Sequence, residues 1–151
     1  MRNQKGITLV ALVITIIVLL ILAGVSISLV VGQNGVLTQA SNAVNTNEKA
    51  SVKQNVEMGV ASCVANFWNA YSSNTSVKVQ DYLDTTEISK SCPDLETDGL
   101  TITTGLKTGT THVDNTLNAA TLTYKTTKKT TYTIPITISG TAVTVGEPTL
   151  K

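Results

Sequence analysis

Residues 5–35 read KGITLVALVITIIVLLILAGVSISLVVGQNG, and no charged side chain occurs from Gly6 to Asn47. Ile7 to Val31 is an apolar run of 25 residues, broken by Thr8, Thr15, Gly24, Ser26 and Ser28. As a helix it would be roughly 37 Å long, enough to cross a hydrocarbon core of about 30 Å with some tilt. A cleaved secretory signal carries a shorter apolar core, about 7–15 residues, and ends in a small-x-small site. Ala23-Gly24 and Ser26-Ile27-Ser28 offer weak versions of that site, but the run resumes with Leu29-Val30-Val31. A membrane-resident helix is the better reading. Arg2 and Lys5 precede the run and the next basic residue is Lys49, so the tip is expected in the cytoplasm and the body on the far side.

Composition agrees with export. The 151 residues carry 11 Lys and Arg against 10 Asp and Glu, a formal net charge of +1, with 14% charged residues. No basic patch or stripe argues for nucleic acid. Outside the apolar run about 120 residues remain, enough for one modest domain. Cys63 and Cys92, the two cysteines, fit one disulfide in an oxidising compartment; two unpaired buried thiols are the plainer alternative, since spacing alone does not prove pairing.

Gly32-Gln33-Asn34-Gly35 is a weak point in the helical pattern, because glycine costs about 1 kcal/mol against alanine inside a helix. Periodicity then returns. Leu37, Ala40 and Val44 are followed by Val52, Val56, Val60, Val64, Phe67 and Tyr71, three or four apart, with Lys49, Lys53, Gln54 and Glu57 on the other face. This reads as an amphipathic helix ending at Ser72-Ser73-Asn74. Residues 74–99 read as an irregular connection, with a short strand conceivable at Val77–Val79 and a helical turn at Asp81–Leu83. Strands are expected at 100–103, 120–125, 131–138 and 141–145, and Ser139-Gly140 is a two-residue hairpin signal. Pro135 inside a strand argues for an edge or a bulge. The expected fold class is α+β: a long N-terminal helix, then a small antiparallel sheet packed on its C-terminal half.

A short basic leader ending in Gly6, then Ile7-Thr8-Leu9 and a long apolar helix, resembles the type IV pilins and pseudopilins. The resemblance implies that a prepilin peptidase cuts between Gly6 and Ile7 and methylates the new amino terminus. It further implies that the mature subunit waits in the membrane and is then drawn by assembly machinery into a helical homopolymer on the cell surface. The expected organisation is a leader at 1–6, a stem at 7–35, the amphipathic half at 36–73, the connection at 74–99 and the sheet at 100–151. Pilins usually carry glutamate as the fifth mature residue, where this chain has Ala11. Without that charge, Ala11, Thr15, Gly24, Gly32 and Gly35 are the candidate assembly positions. Alternatives from other classes are a minor pseudopilin of a secretion or DNA-uptake machine, and an uncleaved surface anchor.

Other sites are sparse. His112 is the single histidine, and it reads as a solvated loop residue rather than a catalytic base. Asp94, Glu96 and Asp98 alternate before Gly99 and resemble the first half of a calcium loop. The twelfth position of such a loop falls on Gly105, where a bidentate carboxylate is expected, so calcium is a weak expectation and no other cofactor is indicated. Asn74-Thr75-Ser76 is a glycosylation-type triplet. The expected role is structural, not enzymatic.

Overall fold

A computed structural model describes residues 4–32, 35–104 and 111–151. The chain divides into two units, Met1–Asn47 and Glu48–Lys151.

In the first unit, α1 spans Gln4–Val31 and the start of α2, Val36–Tyr71, follows. The expected weak point is where the helix is interrupted. Gly35 N donates to Gly32 O at 2.7 Å and the Thr38 hydroxyl to the same carbonyl at 3.1 Å. A Cβ at Gly35 would lie 2.5 Å from Val30 O, so the turn there requires glycine. The apolar side chains from Leu9 to Val31 are exposed, and α1 is long and apolar enough to cross a membrane.

The second unit contains the rest of α2, a 3-10 turn at Val79–Asp81, a short helix α3 at Thr85–Ser89, and five strands. These are β1 Leu95–Thr104, β2 Ala119–Thr126, β3 Thr131–Ser139, β4 Ala142–Val145 and β5 Thr149–Leu150. All pair antiparallel in the order β1-β2-β3-β4, with β5 also on β3. The connection expected to be irregular thus holds two short helical pieces, and β1 begins five residues ahead of the expected Leu100. Ser139 pairs with Ala142, so the hairpin loop is Gly140-Thr141, one residue later than the expected Ser139-Gly140.

The helix stripe and the strand alternation meet in one core. Val52, Val56, Val60, Cys63 and Phe67 of α2 join Leu122 and Tyr124 of β2, Ile134, Ile136 and Ile138 of β3, and Leu100 and Ile102 of β1. Burial along α2 begins at Val52; Val44 and Leu37, read with the same stripe, are exposed. Val79, Leu83, Ile88 and Val113 close the core from the connecting segments. Polar links tie α2 to the sheet as well: Lys53 Nζ donates to Glu147 Oε1 at 2.6 Å, and Glu48 lies beside the Tyr132 hydroxyl.

Pro135 is neither on an edge strand nor in a bulge. It lies mid-strand in β3, opposite Thr121 of β2. On its other side β4 covers Ile136–Ser139 and β5 covers Tyr132–Thr133. A residue's N–H and C=O point to the same side of a strand. The Pro135 carbonyl accepts from Gly146 N at 2.8 Å, where the chain passes from β4 to β5. The missing N–H therefore falls in the gap between those strands, where no ladder bond is lost.

Candidate functional site

The candidate processing site, Gly6-Ile7, lies within the backbone of α1. Of the candidate assembly positions, Ala11 and Thr15 are exposed on that helix. The Thr15 hydroxyl donates to Leu12 O at 2.8 Å, which satisfies a polar group on an apolar surface without breaking the helix. A Cβ at Gly24 would meet nothing within 4 Å, so that glycine is an open notch rather than a packing requirement of its own chain. Gly32 and Gly35 form the interruption. The flanking apolar surface is continuous, with Leu19 at 64%, Leu20 at 67% and Leu29 at 66% exposed. Such a stretch calls for lipid or other apolar helices around it. Its first acidic residue is Glu48, beyond the whole of α1.

The structure does not join the two cysteines. Cys63 and Cys92 are both buried in the core, but they are free thiols. The Cys63 thiol faces Asp84 O at 3.9 Å, whereas the Cys92 thiol donates to Ile88 O at 3.2 Å and neighbours the Tyr124 hydroxyl. Each is aimed at its own carbonyl of the connecting segment rather than at the other. Burial pushes the Cys92 thiol up to about 11 and raises Cys63 as well, so both stay protonated and unreactive at neutral pH.

Of the weakly expected calcium positions, Asp94 lies just before β1, and Glu96 and Asp98 lie within it. Glu96 is ion-paired with Lys125 Nζ at 2.8 Å and with Lys129, and these contacts hold its carboxyl below the usual range. Its lone pairs are committed to two cations. Asp98 adopts a positive φ of 57° within the irregular part of β1, and Gly105 lies outside the described residues. Among the described residues no group of three or more His, Cys, Asp or Glu side chains is placed to hold a metal ion.

His112 has a structural task that the sequence did not reveal. Its Nε2 lies 3.3 Å from Asp84 Oδ2, and the two residues form an isolated antiparallel bridge. Asp84 also caps α3, accepting from Thr86 N at 2.8 Å, and takes the Thr111 hydroxyl at 3.0 Å. Burial raises the Asp84 pKa, but these donors outweigh it and hold the carboxyl below its ordinary value. Asn74 is exposed in the turn after α2, with its side-chain oxygen accepting from Ser76 N at 3.0 Å.

Residues 1–27 match the family described as the prokaryotic N-terminal methylation motif. Beyond that motif, no curated protein and no solved structure matches the chain. The matched stretch holds Gly6, Ile7, Ala11, Thr15 and Gly24. It implies processing by a prepilin peptidase, service by an assembly machinery, and a precursor anchored in the membrane by its apolar helix. With a methylation motif ahead of an α+β fold of long helix and antiparallel sheet, the N-terminal stretch is similar to the class III leader of type IV pilin-like precursors, and motif and fold together point to a structural protein rather than an enzyme.

Proposed function

We propose that the chain is cut between Gly6 and Ile7, methylated there, and assembled into an extracellular type IV pilus-like filament as a homopolymer. The carrying observation is the exposed, uncharged apolar surface of α1 within the methylation motif. Lipid covers such a surface in the precursor; copies of the same helix cover it in a polymer. Residues 7–35 form the stem in this reading, and the second unit faces solvent on the filament exterior. The threonine-rich strands suit that placement: of the outward residues of β3, Thr131, Thr133, Thr137 and Ser139 are hydroxylated and Pro135 is the exception.

The test is Gly6→Val, whose branched side chain crowds the bond to be cut. The wild-type subunit is expected to have lost Met1–Gly6 and gained one methyl group by intact mass, and to run as the main band of shed filaments. Gly6→Val is expected to keep its leader and form none. Normal filaments from that variant, or a wild-type protein with an intact leader, overturn the proposal in favour of an uncleaved surface anchor. Correct cleavage without homopolymers assigns the chain to a minor pseudopilin instead.

A further inference from the structure

Within the second unit, four separate parts of the chain line a cleft of about 560 Å³, inside the usual size of small-molecule sites. Lys78 and Gln80 come from the 3-10 turn, Asn115, Thr116 and Asn118 from the segment before β2, and Thr141 from the β3–β4 loop. Phe67 and Val79, both buried core residues, supply apolar lining.

The walls are cross-linked without any ligand. Lys78 Nζ donates to Asn115 O at 3.2 Å and Gln80 Nε2 to Leu117 O at 3.1 Å. Ile138 N donates to Asn118 O at 2.7 Å, which joins the second wall to β3. The Asp114 carboxylate fixes the loop by accepting from Thr116 N at 2.8 Å and from the Thr116 hydroxyl at 2.7 Å. Gln80 is only 7% exposed, yet its amide is held in place by this bracing. A cleft held in shape this way loses little on binding to the ordering of its own loops.

The lining defines the ligand. Side-chain amides and hydroxyls each donate and accept, which matches sugar hydroxyls that do the same, and the half-buried Val77 adds an apolar contact for ring carbons. Among the described residues the lining holds no acid, cysteine or histidine. Lys78 is the one cation among the described lining residues. It commits a single N–H to Asn115 O and keeps two for an anion. One ammonium balances one carboxylate, while a doubly charged phosphate would be left half-neutralised. We propose that this cleft binds an acidic saccharide, with the ring hydroxyls held by Gln80, Asn115, Asn118 and Thr141 and the carboxylate paired with Lys78. The site does not depend on the filament reading, since it lies within one unit of the folded chain.

The experiment titrates full-length protein in detergent micelles with trigalacturonate, a hyaluronan tetrasaccharide, maltotriose and glucose 6-phosphate, followed by amide NMR shifts. At least one of the two uronate probes is expected to bind at millimolar concentration or tighter. The shifts should cluster at Lys78–Gln80, Asn115–Asn118 and Gly140–Thr141. Lys78→Met, or Lys78→Gln if the first fails to match the wild-type melting temperature, is expected to weaken uronate binding about 10-fold and leave maltotriose unaffected. Thr141→Val is expected to weaken both several-fold. Three results overturn the proposal: no binding of either uronate at about 10 mM, tighter binding of glucose 6-phosphate than of the uronates, or uronate binding unchanged by both substitutions.

Discussion

Gly59 sits on the buried face of α2, and a Cβ there would lie 2.6 Å from Ile88 Cα and 2.8 Å from Ile88 O. Those are backbone atoms of α3, so they cannot swing aside as a side chain could. Gly59→Ala is expected to destabilise the second unit by about 1–3 kcal/mol despite the better helix propensity of alanine, read as a lower urea midpoint. Asp84 makes a second residue-level prediction, about acid. Its folded pKa is depressed, so its contribution is complete above the unfolded carboxylate value and is lost as pH falls through the folded one. Glu96 and Glu147 are depressed too, by their lysine partners, and lose their contributions in the same direction. Between neutral pH and about pH 3 the urea midpoint should fall. Asp84→Asn should lower it at neutral pH and flatten that fall, and amide exchange at Thr86 and Val113 should quicken in the variant. An unchanged slope would remove Asp84 from the account.

At the end of α2, neighbouring aromatics have opposite tasks. Phe67 is 1% exposed, and its ring meets Trp68 at 5.1 Å and Tyr71 at 5.3 Å in tilted contacts and Tyr82 at 6.1 Å edge-on. Trp68 is 49% exposed. Phe67→Ala should therefore cost about 3–5 kcal/mol through the cavity it leaves, whereas Trp68→Ala should cost well under half of that, as judged by denaturant melts of the two variants. The i, i+4 stripe from Val52 to Phe67 made this legible in advance, because a helix facing a sheet must repeat its apolar residues at that period. The same period extends back to Val44 and Leu37, which are exposed, since periodicity marks a face without saying where its partner begins. Similarly, Pro135 was legible as a strand defect. Only the handover from β4 to β5 explains how a central strand tolerates it.

For the chain in its assembled form, Ala11 carries the sharpest expectation. In the pilins that the leader resembles, the glutamate at that place is thought to pair with the terminal amine of a neighbouring subunit; here no acid precedes Glu48. In the filament reading the amine at Ile7 is then met by carbonyls, by hydroxyls such as those of Thr8 or Thr15, by water, or by losing its proton on burial. Register would be set by shape at Gly24 and the hydroxyl positions. Ala11→Glu should be neutral or harmful to filament yield, while Thr15→Leu and Gly24→Leu should alter the subunit rise measured by electron microscopy. Markedly better assembly by Ala11→Glu, or a filament map placing each amine against a neighbour's carboxylate, would contradict this account.

The long helices and the main strands, which local periodicity sets, could be read from the chain alone. The charge-free run from Gly6 to Asn47 specifies an apolar helix, Gly32 and Gly35 mark its interruption, and alternating threonines and isoleucines specify β3. These follow from periods of 3.6 and 2, which need no knowledge of partners. What depended on distant segments meeting was not legible. Gly59 is buried because α3 crosses it, and glycine in mid-helix was the one signal available beforehand. The cysteines looked like a pair by count, yet the folded chain gives each thiol its own carbonyl. His112 looked like a loop residue until Asp84, 28 positions earlier, was brought against it. The cleft joins the 3-10 turn, the segment before β2 and a hairpin loop, whose adjacency no local pattern encodes. Tertiary structure decided these, because side-chain partnerships across long sequence separations are fixed only when the core closes.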